Sequence, residues 1–234
     1  LPSPDVGEFA AIAADLHAEP DADVTARNIV EHGVDIVAQA EHVSLTIALA
    51  GGGHTTLAAT SELAEKVDML QYELDEGPCI QVADGASWFC SGDVTSDPRW
   101  PRWGPAAGEH GVRSVLAVRL DTVDKSSNGA LNFFSTQSGA FSESEIVDVA
   151  QVYAVHAANA LSAACTAAGL QTALTSRHTI GLAQGILMER YRLDQQRSFD
   201  LLRRTSSVHN IKLRDLASTL VETGQLPGQP PSPG

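Results

Sequence analysis

The sequence predicts an α+β fold: a central antiparallel sheet flanked by helices, followed by a three-helix module. Three observations point there. Short β-branched and apolar runs at 42–50, 54–60, 88–94, 112–120 and 129–135 are separated by glycine-rich or polar turns, which is strand punctuation. Helical periodicity precedes these runs, interrupts them and follows them, as expected for a sheet with helices packed on it. The final segment, 173–224, has no strand signal, repeats apolar residues at helical spacing and carries eight of the fifteen lysines and arginines.

Residues 6–18 read as a helix with Val6, Phe9, Ala13 and Leu16 on one face. Residues 22–40 read as a second, lined by Ile29, Val30, Gly33, Val34 and Val37, with Asp21 or Asp23 as its cap. The runs 42–50 and 54–60 make a hairpin around Gly51, Gly52 and Gly53. No lysine-serine or lysine-threonine pair follows those glycines, so they are not a phosphate loop. A helix over 62–74 is ended by Asp75-Glu76-Gly77-Pro78, and a short helix at 79–85 precedes the strand at 88–94. DPRWPRWGPAAGEHG at 97–111 is a loop with one short helical piece, because its prolines lack an amide hydrogen and restrict their predecessors. Strands at 112–120 and 129–135 flank a polar connection at 121–128. A long helix over 142–168 places Ile146, Val149, Val152 (or Tyr153) and His156 on one side, and Gly169 is read as its break.

Beyond that glycine, Ile180, Ala183, Leu187, Met188 and Tyr191 share one helical face. Asp194 is placed to cap a second helix containing Phe199 and Leu202. Asn210 is placed to cap a third, with Leu213, Leu216, Ala217, Leu220 and Val221, stopped by Gly224 and Pro227. Helices this short are unstable alone, so their apolar stripes must bury one another or a partner. From Leu170 onward eight bases face five acids, a net +3; the chain total is −14, so the first 169 residues carry −17. A basic module on an acidic protein points to a polyanionic partner for the module alone.

Composition narrows the remaining classes. With 43% apolar and 19% charged residues the chain is a folded protein of one or two domains, with no apolar run long enough for a transmembrane helix. The opening LPSPDVGEF lacks the features of a secretory signal. Cys79, Cys90 and Cys165 are odd in number and widely spaced, which is no disulfide framework and fits a reducing cytoplasm. The eight histidines form no HExxH and the cysteines no Cys-x-x-Cys, so no metal site is expected; no cofactor is specified either. Ser114 in GVRSV lacks the Gly-x-Ser-x-Gly setting of a nucleophile. Cys79 and Cys90 are read as small buried hydrophobes or, alternatively, a redox switch. Trp88, Trp100 and Trp103, with Phe89, either wall the sheet domain or line a ligand pocket in it. The proline-rich tail, 225–234, is expected to be disordered.

Two resemblances add to this reading. ALTSRHTIGLAQGILMERYRL and SFDLLRRTSSVHNIKLRDLA resemble the ANTAR domain, a three-helix RNA-binding module of bacterial transcription antitermination regulators, over about 50 residues. The sequence departs from the common pattern at Gln184 for lysine, Arg192 for glycine and Ser198 for alanine. YELDEGPCIQV, DVTSDPRWPRW, GVRSVLAVRL and GALNFFS…GAFSESEI stand in the order of a GAF domain, a small-molecule or redox sensor fold, over roughly 10–165. Similar GPC and SDPRWPR stretches occur in actinobacteria-like regulators that place GAF before ANTAR. The resemblances imply a sensor domain at 1–168, an RNA-binding module at 169–224, structured RNA hairpins as partners, a small-molecule effector, no membrane, and a homodimer through terminal helices. Arg190, Arg192, Lys212 and Arg214 are the expected RNA contacts, on the expectation that the end of the module's first helix meets the start of its third. Arg177, His209 and Asn210 join that set. Gly185 is expected to permit close helix packing. The long helices are expected to pair in the dimer and to relay a change in the sensor pocket. Two other readings stand beside this one: a dimeric interaction scaffold that has lost RNA binding, and a cysteine-based redox enzyme on the GAF fold.

Overall fold

In a computed structural model, residues 6–49, 51–83, 85–121 and 128–227 are described. The side chain of Val6, the connection at 122–127 and the tail at 228–234, all read above from sequence, lie outside them. Two helices open the fold, α1 (Val6–Ala18) and α2 (Ala22–Ile36). Asp21 is the cap of α2, its carboxylate accepting from the amides of Asp23 and Val24 at 2.9 Å. The hairpin β1 (His42–Ala48) and β2 (His54–Ala59) follows, with Gly52 and Gly53 at positive φ in its turn. Helices α3 (Glu62–Leu74) and α4 (Pro78–Ala83) lead to β3 (Trp88–Ser91). A short 3-10 turn (Val94–Ser96) and α5 (Trp103–Glu109) precede β4 (Ser114–Asp121) and β5 (Asn128–Ser135).

The strands form one sheet in the order β2-β1-β5-β4-β3, every neighbour antiparallel. Side chains alternate across it as the strand period requires. Val43, Leu45, Leu116, Val118, Leu131 and Phe133 face a core shared with α1, α2 and the helix that follows β5. Val115 and Phe134 belong to a second core with α3 and α5, while Ala117 and Ala130 lie against α4.

That following helix, α6 (Ser144–Tyr191), is 48 residues long and passes through Gly169 without a break, contrary to the sequence expectation. Its alanine-rich flanks favour helix, one glycine costs only about 1 kcal/mol, and a break would orphan backbone groups at two new helix ends. By internal contacts the chain divides into two compact units, Leu1–Ala168 and Gly169–Gly234, and α6 supplies residues to each.

The second unit adds α7 (Gln195–His209), capped by Asp194, and α8 (Leu213–Thr223), ended by left-handed Gly224. Asn210 is not the N-cap expected for α8. It sits at φ 52° as the C-cap of α7, a left-handed position that asparagine tolerates better than most residues. Leu226 is buried against the module's apolar centre, so ordered packing continues past Gly224 into the stretch expected to be a disordered tail. No helix among the described residues is long and apolar enough to cross a membrane.

Candidate nucleic-acid interface and sensor core

The helical module is built on a small apolar centre: Ala183 and Leu187 of α6, Leu202 of α7, and Leu216, Ala217 and Leu220 of α8. That arrangement turns the basic residues outward, and Arg177, Arg190, Arg192, His209, Asn210, Lys212 and Arg214 are all exposed. The expected meeting of four cations does not occur. The guanidinium of Arg190 donates to the carbonyl of Gly224, which places it at the C-terminal end of α8. Lys212 and Arg214 stand at the opposite end, about 16 Å away along an 11-residue helix. His209, Asn210, Lys212 and Arg214 are instead brought together by the turn between α7 and α8. Beside it, α6 and α8 leave a groove of about 350 Å³ lined in part by Arg214.

The departures from the ANTAR pattern acquire physical accounts. Gln184 donates from Nε2 to the carbonyl of Gln195 at 3.0 Å and tethers the start of α7. Ser198 is fully buried and its hydroxyl donates to the same carbonyl at 2.8 Å. Arg192, at a common glycine position, has φ 54°, the left-handed geometry that glycine favours. Its guanidinium lies 3.9 Å from Glu189. Arg197, Arg203 and Arg214 likewise lie near Asp194, Asp200 and Asp215, at 3.5, 3.7 and 3.0 Å. Among the described residues Arg177, Arg190, Arg204 and Lys212 have no such carboxylate; Arg190 is held on the Gly224 carbonyl, so the charges of Arg177, Arg204 and Lys212 are the most available to a polyanion. A Cβ on Gly185 would meet nothing within 4 Å, so within the chain this glycine does not serve the close packing expected of it.

The sensor unit holds a polar cluster under α3. Asp68 is fully buried; Thr56 donates to its carboxylate at 2.9 Å, Asn132 at 3.3 Å, and Thr46 and Gln71 at 3.4 Å. Burial pushes the Asp68 carboxyl up to about 7, against hydrogen bonds from Ser44, Thr56, Thr46 and Asn132 that pull it down. The Oδ1 of Asn132 is buried without a partner among the described residues. The Tyr72 hydroxyl lies 2.9 Å from both Thr46 and Thr56, and desolvation raises its pKa further. Thr56 and Tyr72 also line a cavity of about 370 Å³, with His54, Leu57, Glu65 and Met69. His54 stacks on Tyr72 with ring centroids 5.9 Å apart. Sequence reasoning missed this cluster. Ser44, Thr46 and Asn132 fall where strand alternation puts polar residues, as on a solvent-facing side, and it is the packing of α3 and α4 on that face that buries them.

The residues singled out from sequence in this unit lie elsewhere. Trp100 and Trp103 are fully buried, edge to face at 5.5 Å, and donate through Nε1 to Gln81 and to the carbonyl of Val67, each at 3.1 Å. Trp88 is 43% exposed on the edge strand β3. None of the three tryptophans lines the cavity. Cys79, on α4, is buried against the sheet, where desolvation and then the charge of Asp68 push its thiol well above the usual range. Cys90 packs against the core on the other face of the sheet, and its thiol donates to the carbonyl of Phe141 at 3.4 Å. The structure does not bring the two thiols together.

The DPRWPRW stretch acts as a clamp. Arg99 pairs with Asp97, holding that carboxyl down at about 2, donates to the carbonyl of Cys90 at 2.7 Å and covers the Trp100 ring at 4.6 Å. Arg102 pairs with Glu76 at 3.2 Å, and the Glu76 carboxylate also accepts the amides of Arg102 and Trp103 at 2.7 and 2.8 Å. The end of α3 is thereby tied to the start of α5.

Comparison with known proteins agrees with this architecture. The GAF domain family matches residues 19–162 and the ANTAR domain family residues 168–221. The GAF domain of a phosphoenolpyruvate-protein phosphotransferase from Coxiella burnetii is similar at TM-score 0.54 and 18% identity, covering 70% of this chain and 94% of that one. A free methionine-R-sulfoxide reductase from Neisseria meningitidis is similar at TM-score 0.54 and 14% identity, covering 71% and 96%. A bacteriophytochrome from R. palustris reaches TM-score 0.57 at 10% identity, covering 79% of this chain and 43% of that one. No curated protein matches the chain. At these identities the solved structures show the fold alone, whereas the family matches, on the sheet domain and on the helices after it, show that the chain belongs to the GAF domain family and carries an ANTAR domain at its C-terminal end.

Proposed function

We propose that this protein is an RNA-binding transcription antitermination regulator whose GAF domain senses a small molecule, and that it acts in the cytoplasm as a regulator rather than an enzyme. The observation that carries the reading is the ANTAR match coinciding with a compact helical module whose cations all face outward, on a chain that is otherwise strongly acidic. Structured RNA hairpins are the partners this chemistry suits: phosphates for Arg177, Arg204 and Lys212, exposed loop bases for the groups around the α7–α8 turn. The separation of Cys79 from Cys90 on opposite faces of the sheet weighs against a dithiol enzyme.

The cavity bordered by His54, Thr56, Glu65, Met69 and Tyr72 is the effector site this reading favours, because it joins apolar surface to the hydrogen-bonded Asp68 cluster. A second copy of the chain is the proposed cover for α6. Leu170, Leu174, Gly181, Gly185 and Met188 repeat along one face, all exposed, and a Cβ on either glycine would meet nothing. Such a face suits close approach of an identical helix. The test is capture of RNA by the full-length chain from a pool of hairpins with randomised loops. Enrichment of paired hairpins over single strands of the same composition supports the reading. Absence of enrichment overturns it in favour of a scaffold without RNA affinity.

A further inference from the structure

The groove between α6 and α8 has an unusual wall. Thr172, Thr175, Ser176 and Thr179 fall at offsets 0, 3, 4 and 7, the spacing that on an amphipathic helix belongs to apolar core residues. Here it presents four hydroxyl side chains to Arg214 and Ser218 of α8 across about 350 Å³. That space is within the range of sites for small organic groups. Thr175 and Thr179 each spend their proton on a backbone carbonyl of α6, at 2.9 and 3.0 Å, and so retain oxygen lone pairs for accepting. Ser176 and Ser218 add hydroxyls that are able to donate as well as accept. Arg214 uses Nε on Asp215 at 3.0 Å, leaving its terminal N–H groups and the second carboxylate oxygen of Asp215.

We propose that this groove is a base-reading subsite, which takes one unstacked loop base bearing an exocyclic amino group; the proposal rests on the RNA-binding reading above. Charge separates a base from a phosphate. The one cation of the lining is matched by the carboxylate next to it, so the groove has no excess positive charge to hold a phosphate. It has instead the alternation of donors and acceptors that a base edge presents. The Asp215 carboxylate only accepts, so it rewards the amino group of adenine, cytosine or guanine, whereas uracil offers a carbonyl there. Lys212 and His209, on the adjoining turn, are exposed where the flanking backbone would pass.

The experiment starts from the loops that the full-length chain enriches from randomised-loop hairpins, and then measures binding of one enriched hairpin and of its uracil-substituted versions. The expected result is one loop position at which uracil weakens the native chain about tenfold, the scale of one or two lost hydrogen bonds. At that position Asp215→Asn, which puts an amide donor beside the acceptor, should shrink the uracil penalty to less than about threefold. Ser218→Ala should weaken the amino-bearing loop about fivefold while leaving binding to the stem. Circular dichroism and thermal melting establish that both variants are folded, and Ser218→Ala, on a partly exposed helical position, is the safer of the two. Native binding with no loop preference overturns the subsite, as does an unchanged uracil penalty in folded Asp215→Asn; either leaves RNA binding itself intact. Failure of the native chain to bind any hairpin overturns both the subsite and the reading beneath it.

Discussion

Asp68 shows how a single side chain sets the character of the sensor core. A carboxyl with no exposure, held among threonines, a glutamine and an asparagine, ionises only against its desolvation, and its pKa stands at about 7 rather than 3.8. Because the folded value lies above the unfolded one, the stabilising effect of its proton is complete below about pH 4 and is lost as pH rises through 7. We expect the native chain to lose stability over that interval by an amount on the order of a few kcal/mol, and Asp68→Asn to flatten the profile there. Urea melts of both proteins at pH 5 and pH 8 decide it; parallel profiles would contradict the assignment. Gly104 is a second residue-scale constraint. A Cβ there would run into the backbone carbonyl of Val94 while Trp103, beside it, is fixed in the core. Gly104→Ala should lower stability by about 2 kcal/mol, read as a fall in Tm; an unchanged Tm would mean that α5 is free to shift.

At the scale of elements, α6 is the helix whose behaviour departs most from its sequence. Isolated glycine weakens helices and so reads as a stop, yet a Cβ on Gly169 would meet nothing within 4 Å among the described residues. Gly169→Ala should therefore keep or raise Tm, by the equivalent of up to about 1 kcal/mol. A loss of stability would mean that the glycine is needed in a conformation other than helix. Exposed Leu170 and Leu174 test the proposed pairing: changing both to glutamate should halve the mass seen in sedimentation without unfolding the chain. A native chain that is already monomeric would contradict it. Asn210 teaches a related lesson about sequence signals. Asparagine is a common residue at both ends of helices, and which end it serves is decided by the turn into α8, a tertiary matter invisible in local spacing.

For the molecule as a whole, what was legible came from periodicity and punctuation. The hairpin at Gly51–Gly53, the helix at 62–74, the last two strands and the apolar centre of the module all follow from local pattern, and the motif order led to both domain families. The sites were less legible because they form between distant segments. Asp68 meets Asn132 across 64 positions, Glu76 meets Arg102 across 26, and Arg190 meets Gly224 across 34. No local spacing encodes such meetings: Thr46, Thr56 and Asn132 reach Asp68 from three different strands. If the C-terminal unit binds RNA through its outward cations, hairpin binding by the full-length chain depends on salt. Log K should fall linearly with log salt, and Arg204→Gln and Lys212→Gln should each reduce the slope by about one contact. Binding that is indifferent to salt, or slopes that both variants leave unchanged, would contradict binding through those cations.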